Sequence, residues 1–373
     1  MKKNYVLMSI LLLAIVAGCV TGGRAADPAT LKDAYKNDFL IGVAINRSQY
    51  YEEDKRGVPI IKAQFDSISP ENVLKWESVH PGLDKYDFDA PDRYVEFGEK
   101  NHMYIIGHTL VWHNQTPRWV FQDTNGQPVS RDVLLQRMHD HISTVVGRYK
   151  GRINGWDVVN EALNENGSLR KSQWEKIIGD DYIEKAFQFA HEADPQAMLH
   201  YNDYALEDEP KRNGAIALIK KLQSEGIQIN SIGLQCHVKM NWPTPEKEDA
   251  TISAFAALGV KVMITELDVD IVPATQRNQS ADITANAQAV AGGNTYTNAL
   301  PEEQQQALAR RYADLFRVLV KHHADISRVT FWGVTDGDSW LNTRGRVDYP
   351  LLFDRAGQPK PAFYAVLKEA GQR

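Results

Sequence analysis

The chain has 373 residues, with 42 Lys and Arg against 48 Asp and Glu for a net charge of −6, 43% hydrophobic residues and 24% charged residues. That balance is ordinary for a globular protein and gives no basic footprint for nucleic acid, while the length suits one large α/β core. Two cysteines, Cys19 and Cys236, and eleven scattered histidines exclude a disulfide framework and a zinc site of the usual spacing.

The first elements in chain order are those of an export signal. Met1, Lys2 and Lys3 supply positive charge, Val6 to Ala17 is mostly apolar, and the run is too short to span a bilayer. It ends at Val16-Ala17-Gly18-Cys19, which resembles a bacterial lipobox. Residues 1–18 are therefore expected to be a lipoprotein signal peptide, 19–29 a lipidated Cys19 with a short tether, and 30–373 the folded domain. The protein is then exported and membrane-anchored through Cys19, with no other membrane contact. The alternative is a plain signal peptide cut near Ala25 or Ala26, which leaves a periplasmic or secreted protein.

Beyond the tether, apolar runs of strand length alternate with amphipathic helical stretches. The expected strands are Leu40 to Asn46, Ala63 to Ile68, Tyr104 to Leu110, Ile153 to Val159, Met198 to Asn202, Ser231 to Gln235, Lys261 to Thr265 and Arg328 to Gly333. The expected helices are Val133 to Tyr149, Asp181 to Asp194, Asn213 to Ser224, Glu246 to Leu258, Glu302 to His322 and Pro361 to Glu369, with Gly226 and Gly259 as stops. Eight strands in β/α alternation predict a single (β/α)8 TIM barrel, which leaves no sheet edge. An open doubly wound sheet is the runner-up, weakened by the lack of a GxGxxG or GxxxxGK[ST] turn after any strand. The long connection from Ile271 to Leu300 has little periodicity, as functional or mobile loops do.

In such a barrel the C-terminal strand ends converge on one mouth. Those ends carry Asn46; Glu71, Asn72, Lys75 and Trp76; His108, Trp112 and His113; Asn160 and Glu161; Asn202, Asp203 and Tyr204; Gln235 and His237; Glu266 and Asp268; and Trp332, Asp336 and Trp340. One strand-end Asn or Asp commonly caps the next helix, but polar groups after every strand are hard to obtain that way. Amides, carboxylates and indoles suit the hydroxyl edges and apolar faces of a neutral saccharide, whereas a phosphate would call for Arg and backbone N–H groups. Glu161 and Glu266 are placed to face each other across the mouth. Glycosidic hydrolysis needs one carboxylic acid to protonate the leaving oxygen and one carboxylate to attack or to activate water, and this pair could supply both. Trp76 and Trp156 read as core, His113, His139, His141, His322 and His323 as structural or surface groups, and Glu165 as part of a solvated loop.

The segments ENVLKW (71–76), GHTLVWHNQTP (107–117), WDVVNEAL (156–163), LQCH (234–237), ITELDV (264–269) and WGVTDGDSW (332–340) resemble, in order, those of glycoside hydrolase family 10, the endo-1,4-β-xylanases. The resemblance covers about residues 30 to 370. It implies Glu161 as acid/base and Glu266 as nucleophile of a retaining double displacement on xylan and xylo-oligosaccharides; the enzyme is separately expected to be a monomer with no cofactor and no metal. It also implies that Asn160 contacts the sugar 2-hydroxyl, that His237 hydrogen-bonds the nucleophile, and that Gln235 contacts the sugar. Glu71, Asn72, Lys75, His108, Trp112, Trp332 and Trp340 match the glycone-side set, Tyr204 an aglycone-side aromatic, and Asp268 a supporting carboxylate. Cys236 stands where many relatives have Gly, and the Ile271 to Leu300 loop is longer than a minimal connection. A retaining β-1,4-glucanase on the same barrel, or a glycan-binding lipoprotein with a dead site, are the alternatives.

Overall fold

The apolar run Leu40–Ile45 forms the first strand (β1), and the next three are β2 (Ser67–Pro70), β3 (Tyr104–Val111) and β4 (Gly155–Asn160). They are followed by β5 (Met198–Asp203), β6 (Ser231–Leu234), β7 (His237–Lys239), β8 (Lys261–Asp270) and β9 (Ile326–Phe331). The structure is a computed structural model that describes residues 30–272, 296–297, 299–342 and 346–372. The expected signal segment, Cys19, the tether and most of the Ile271 to Leu300 connection lie outside the described residues.

Every pairing is parallel, and two of them close the sheet: β6 meets β8 through Ser231 and Lys261, and β9 meets β1 through Val329 and Ile41. Eight strands thus form the expected (β/α)8 barrel. The short β7 is a ninth strand outside it, paired with the far end of β8. Inward and outward faces of the strands are both buried, so their runs are apolar rather than alternating.

The expected helices appear within a few residues of their predicted limits. Ser130 caps Arg131–Arg148 by accepting from Val133 N–H, and Thr244 caps Pro245–Ala256 through Lys247 N–H. Helices Gly57–Gln64 and Asp89–Lys100 are additional to those expected. The first of them corrects the second predicted strand: Ala63 and Gln64 complete a helix that buries Val58 and Ile61, and β2 begins only at Ser67. The seventh barrel strand, β8, runs five residues past Thr265 because its pairing with β7 extends to Asp270. Glu266 and Asp268 therefore lie within a strand, not after one.

Two glycines give the interior the room it needs. A Cβ on Gly107 would lie 2.1 Å from the Trp156 ring, and one on Gly233 would lie 2.3 Å from Asn202 Oδ1. Under the mouth, buried Arg328 donates to Ser69 Oγ at 2.9 Å and Thr330 Oγ1 at 2.8 Å, a polar layer beneath the site.

Candidate active site

Glu161 follows the last residue of β4 with a left-handed φ of 56°, a conformation a non-glycine residue holds only when its surroundings impose it. They do so here. Its N–H donates to Asn202 C=O at 2.9 Å, its C=O accepts from Arg170 Nε at 3.0 Å, and the next N–H, of Ala162, donates to Tyr201 Oη at 3.0 Å. The carboxylate accepts from Trp112 Nε1 at 2.9 Å and Gln235 Nε2 at 3.0 Å, and the residue is 6% exposed. Burial pushes its pKa above the ordinary glutamate value. The Gln235 hydrogen bond opposes the rise, and the nearby charge of Asp203 adds to it.

Glu266 is equally buried but differently met. Asn202 Nδ2 donates to one oxygen at 2.9 Å, and His237 Nε2 lies 3.0 Å from the other. His237 Nδ1 is 3.0 Å from Asp268 Oδ1, and Asp268 accepts from Trp340 Nε1 at 2.7 Å through its second oxygen. Burial would lower the pKa of His237, but Asp268 and then Glu266 outweigh it and lift it to about 10. The ring is an imidazolium at neutral pH. Burial likewise raises Glu266, yet the bond and charge of His237, with His108 and Asn202 in support, hold it below its usual value.

The two carboxylates are joined by amides. Asn160 Oδ1 accepts from Asn202 Nδ2 at 3.0 Å and Gln235 Nε2 at 3.3 Å, so one chain of hydrogen bonds runs from Glu161 through Gln235, Asn160 and Asn202 to Glu266. Thr265 Oγ1 donates to Asn202 Oδ1 at 2.7 Å and fixes which way that amide points. Backbone bonds add a second link, since Glu266 N–H donates to Gln235 C=O at 2.9 Å.

The other expected site residues gather around this pair. Lys75, 7% exposed, donates to Asn72 Oδ1 at 3.1 Å and stands 5.0 Å from the Trp112 ring centre. Burial lowers its pKa, although Glu266, Glu161 and Glu71 all draw it upward. Glu71 is lifted to about 7 by burial and then by Asp338. Trp332 meets His108 edge-on at 5.7 Å and His237 at 6.4 Å, and Trp340 lies 4.9 Å from His237 with 38% of its surface exposed. Tyr204 Oη accepts from Arg170 at 3.0 Å and donates to Glu165 at 2.8 Å, with Lys211 Nζ 3.1 Å from its ring centre.

Some strand-end groups are structural. Asn46 forms a capping box with Gln49, and Asp336 accepts from buried Lys360 at 2.9 Å. Trp76 stacks on buried His141 at 3.6 Å, as its core assignment requires. Sequence reasoning missed Asp157 and His200 and gave Asn202 no role. Asp157 takes His108 Nδ1 at 3.0 Å on one oxygen and has His200 Nδ1 3.4 Å from the other. Burial raises that carboxyl, but the two imidazoles hold it far below its ordinary range. The available signal was a charged residue inside an apolar run, WDVV, which only an interior partner explains. Glu165, read as solvated, is exposed but also bonds Tyr204.

The arrangement holds one carboxyl group whose pKa burial raises and a second that an imidazolium keeps below its usual value, the division that acid-assisted displacement at a glycosidic carbon requires. The comparisons agree. The family model described as glycosyl hydrolase family 10 matches residues 30–369. The chain is 42% identical over 370 residues to endo-1,4-beta-xylanase A of Xylanibacter ruminicola, covering 98% of this chain and 99% of the relative. It is 41% identical over 368 residues to the beta-1,4-xylanase of Dictyoglomus thermophilum, covering 97% of each. Among solved structures, a GH10 endoxylanase retrieved from a sugarcane soil metagenome superposes with a TM-score of 0.85 at 42% identity, covering 91% of this chain and 99% of that one.

Proposed function

The chain belongs to glycosyl hydrolase family 10, and on that premise we propose how its residues divide the work of a retaining endo-1,4-β-xylanase acting on internal bonds of xylan. Glu266 attacks the anomeric carbon while Glu161 passes its proton to the departing glycosidic oxygen. The C–O bond to the leaving chain breaks, and a covalent glycosyl-enzyme forms. Glu161, now ionised, then takes a proton from water as the water attacks the same carbon. Glu266 leaves with its charge restored, Glu161 is protonated again, and two inversions give net retention.

The observation that carries this assignment is the opposite character of the two carboxylate pockets. Trp112 and Gln235 are neutral donors that leave Glu161 able to hold a proton, whereas the His237 imidazolium keeps Glu266 ionised. Around them, Asn160 is assigned to the 2-hydroxyl of the sugar under attack and Gln235 to the same sugar. Glu71, Asn72, Lys75, His108, Trp112, Trp332 and Trp340 are assigned to the glycone side, and Tyr204 to the departing chain. Proton NMR of the first product from xylohexaose tests the mechanism. The β-anomer is expected, and an initial α-anomer would overturn the nucleophile assignment.

The lipobox-like VAGC segment supports attachment of the mature protein to a membrane by acyl chains on Cys19. Among the described residues no helix is long and apolar enough to cross a membrane. Cys19→Ala should move the enzyme out of the membrane fraction or trap its precursor. Soluble wild-type protein beginning near Ala26 would contradict the anchor.

A further inference from the structure

Directly behind the site, three side chains from separate elements meet in a space closed to solvent. Cys236 lies between Gln235, which donates to Glu161, and His237, which meets Glu266, and holds a left-handed φ of 56°. Its Sγ is 3.5 Å from Glu207 Oε1, in the loop after β5, and 3.6 Å from Glu248 Oε1, on the helix Pro245–Ala256. The donor and acceptor atoms of the three residues all lie within 4.8 Å of one another, and both glutamates are 1% exposed. Their other oxygens, Glu207 Oε2 and Glu248 Oε2, have no hydrogen-bond partner among the described residues.

We propose that Glu207 and Glu248 are positioning residues that hold one proton between them, and that this proton fixes Cys236 and thereby aims Gln235 at Glu161 and His237 at Glu266. The donor count motivates it. One thiol S–H can serve only one carboxylate at a time, so two ionised glutamates would leave facing negative charges in a buried space. A carboxyl O–H supplies the second donor.

The surrounding charges do not remove that need. Lys211 draws Glu207 downward but is 2.8 Å from Asp203, and Lys247 is 3.3 Å from Asp208. Arg212 donates to the Glu207 carbonyl at 3.3 Å and to Thr251 Oγ1 at 2.9 Å. Arg311 draws Glu248 downward but donates to the carbonyls of Lys239 at 3.0 Å and Pro243 at 2.7 Å. Burial, followed by the charge of Glu207, lifts Glu248 to about 8, and burial also raises Glu207 and the Cys236 thiol. Both shifts favour a proton on the pair, and alkaline solution removes it.

The inference rests on the assigned roles of Glu161 and Glu266, and the test separates the two. kcat/KM is measured against pH with a dinitrophenyl β-xylobioside, whose acidic phenol leaves without help from Glu161, so that acid does not shape the alkaline limb. Wild type should lose about tenfold between pH 7 and pH 9, the depletion of a group titrating near 8. Glu248→Gln, whose amide keeps a donor at every pH, should lose less than about twofold relative to its own pH 7 value. Glu207→Gln should behave the same way and serves if the first variant does not fold. An alkaline limb equal to wild type in both variants would overturn the proposal. So would alkaline activity restored by Zn2+ or abolished by EDTA, because the occupant would then be a metal ion. Failure of the underlying assignment looks different: Glu266→Ala would remain active on this substrate.

Discussion

Glu161 and Glu266 are both 6% exposed, yet one carboxylate is met by an indole and an amide and the other by an amide and an imidazolium. In the first environment no cation among the described residues hydrogen-bonds the Glu161 carboxylate, so burial dominates and favours the proton. The second carries a positive charge that Asp268 holds in place, so burial loses. The backbone differs as well. Glu161 sits in a strained turn immediately after β4, and Glu266 in the middle of β8. Burial alone thus does not decide a carboxyl group's protonation; the charge of its nearest donor does.

The largest break in this comparison is removal of the ionised member. Glu266→Ala should reduce turnover of xylan and of activated aryl xylobiosides alike, by roughly 10⁴-fold or more, because no covalent intermediate can form. Steady-state rates on both substrates check it. Glu161→Ala should cost roughly 10² to 10⁴-fold on xylan but much less in the glycosylation of a dinitrophenyl xylobioside. Equal losses on both would remove Glu161 from the acid role.

Smaller changes sharpen the contrast. His237→Ala takes away the charge that favours ionised Glu266, so the nucleophile's pKa rises and the acidic limb of kcat/KM moves to higher pH, by about one unit or more. Activity at pH 5 should therefore suffer more than activity at pH 7. On the other side, Trp112→Phe removes a neutral donor to ionised Glu161. That pKa also rises, so the basic limb moves to higher pH, but by less than about one unit, since the donor is uncharged. A shift from Trp112→Phe as large as that from His237→Ala would contradict the difference between the pockets.

Much of this was legible in the residues. Apolar runs marked the barrel strands, and the amide–carboxylate pair of WDVVNEAL stood out because an acid directly after a core strand needs a reason. The second strand was misplaced because Ala63 to Ile68 reads as extended, and only packing shows that Ala63 and Gln64 end the helix Gly57–Gln64. The charges in TELDVD read as a strand end, whereas pairing with β7 and hydrogen bonds from Asn202 and His237 let charged residues sit inside β8. Asn202 lies 64 residues from Glu266 in sequence, and nothing local announces that its amide holds the nucleophile. Cys236 could be recognised as lying beside two site residues, but its meeting with Glu207 and Glu248 depends on how three loops and helices converge.

Carbon-13 NMR titration of the enzyme with glutamate labelled at Cδ shows whether the free enzyme holds a proton on Glu161 while Glu266 is ionised. Glu161→Gln and Glu266→Gln spectra assign the two signals. The Glu266 signal should titrate below the ordinary glutamate range and the Glu161 signal above it, with Glu161 still carrying its proton after Glu266 has lost its own. The reverse order, or two signals titrating together in the ordinary range, would contradict it.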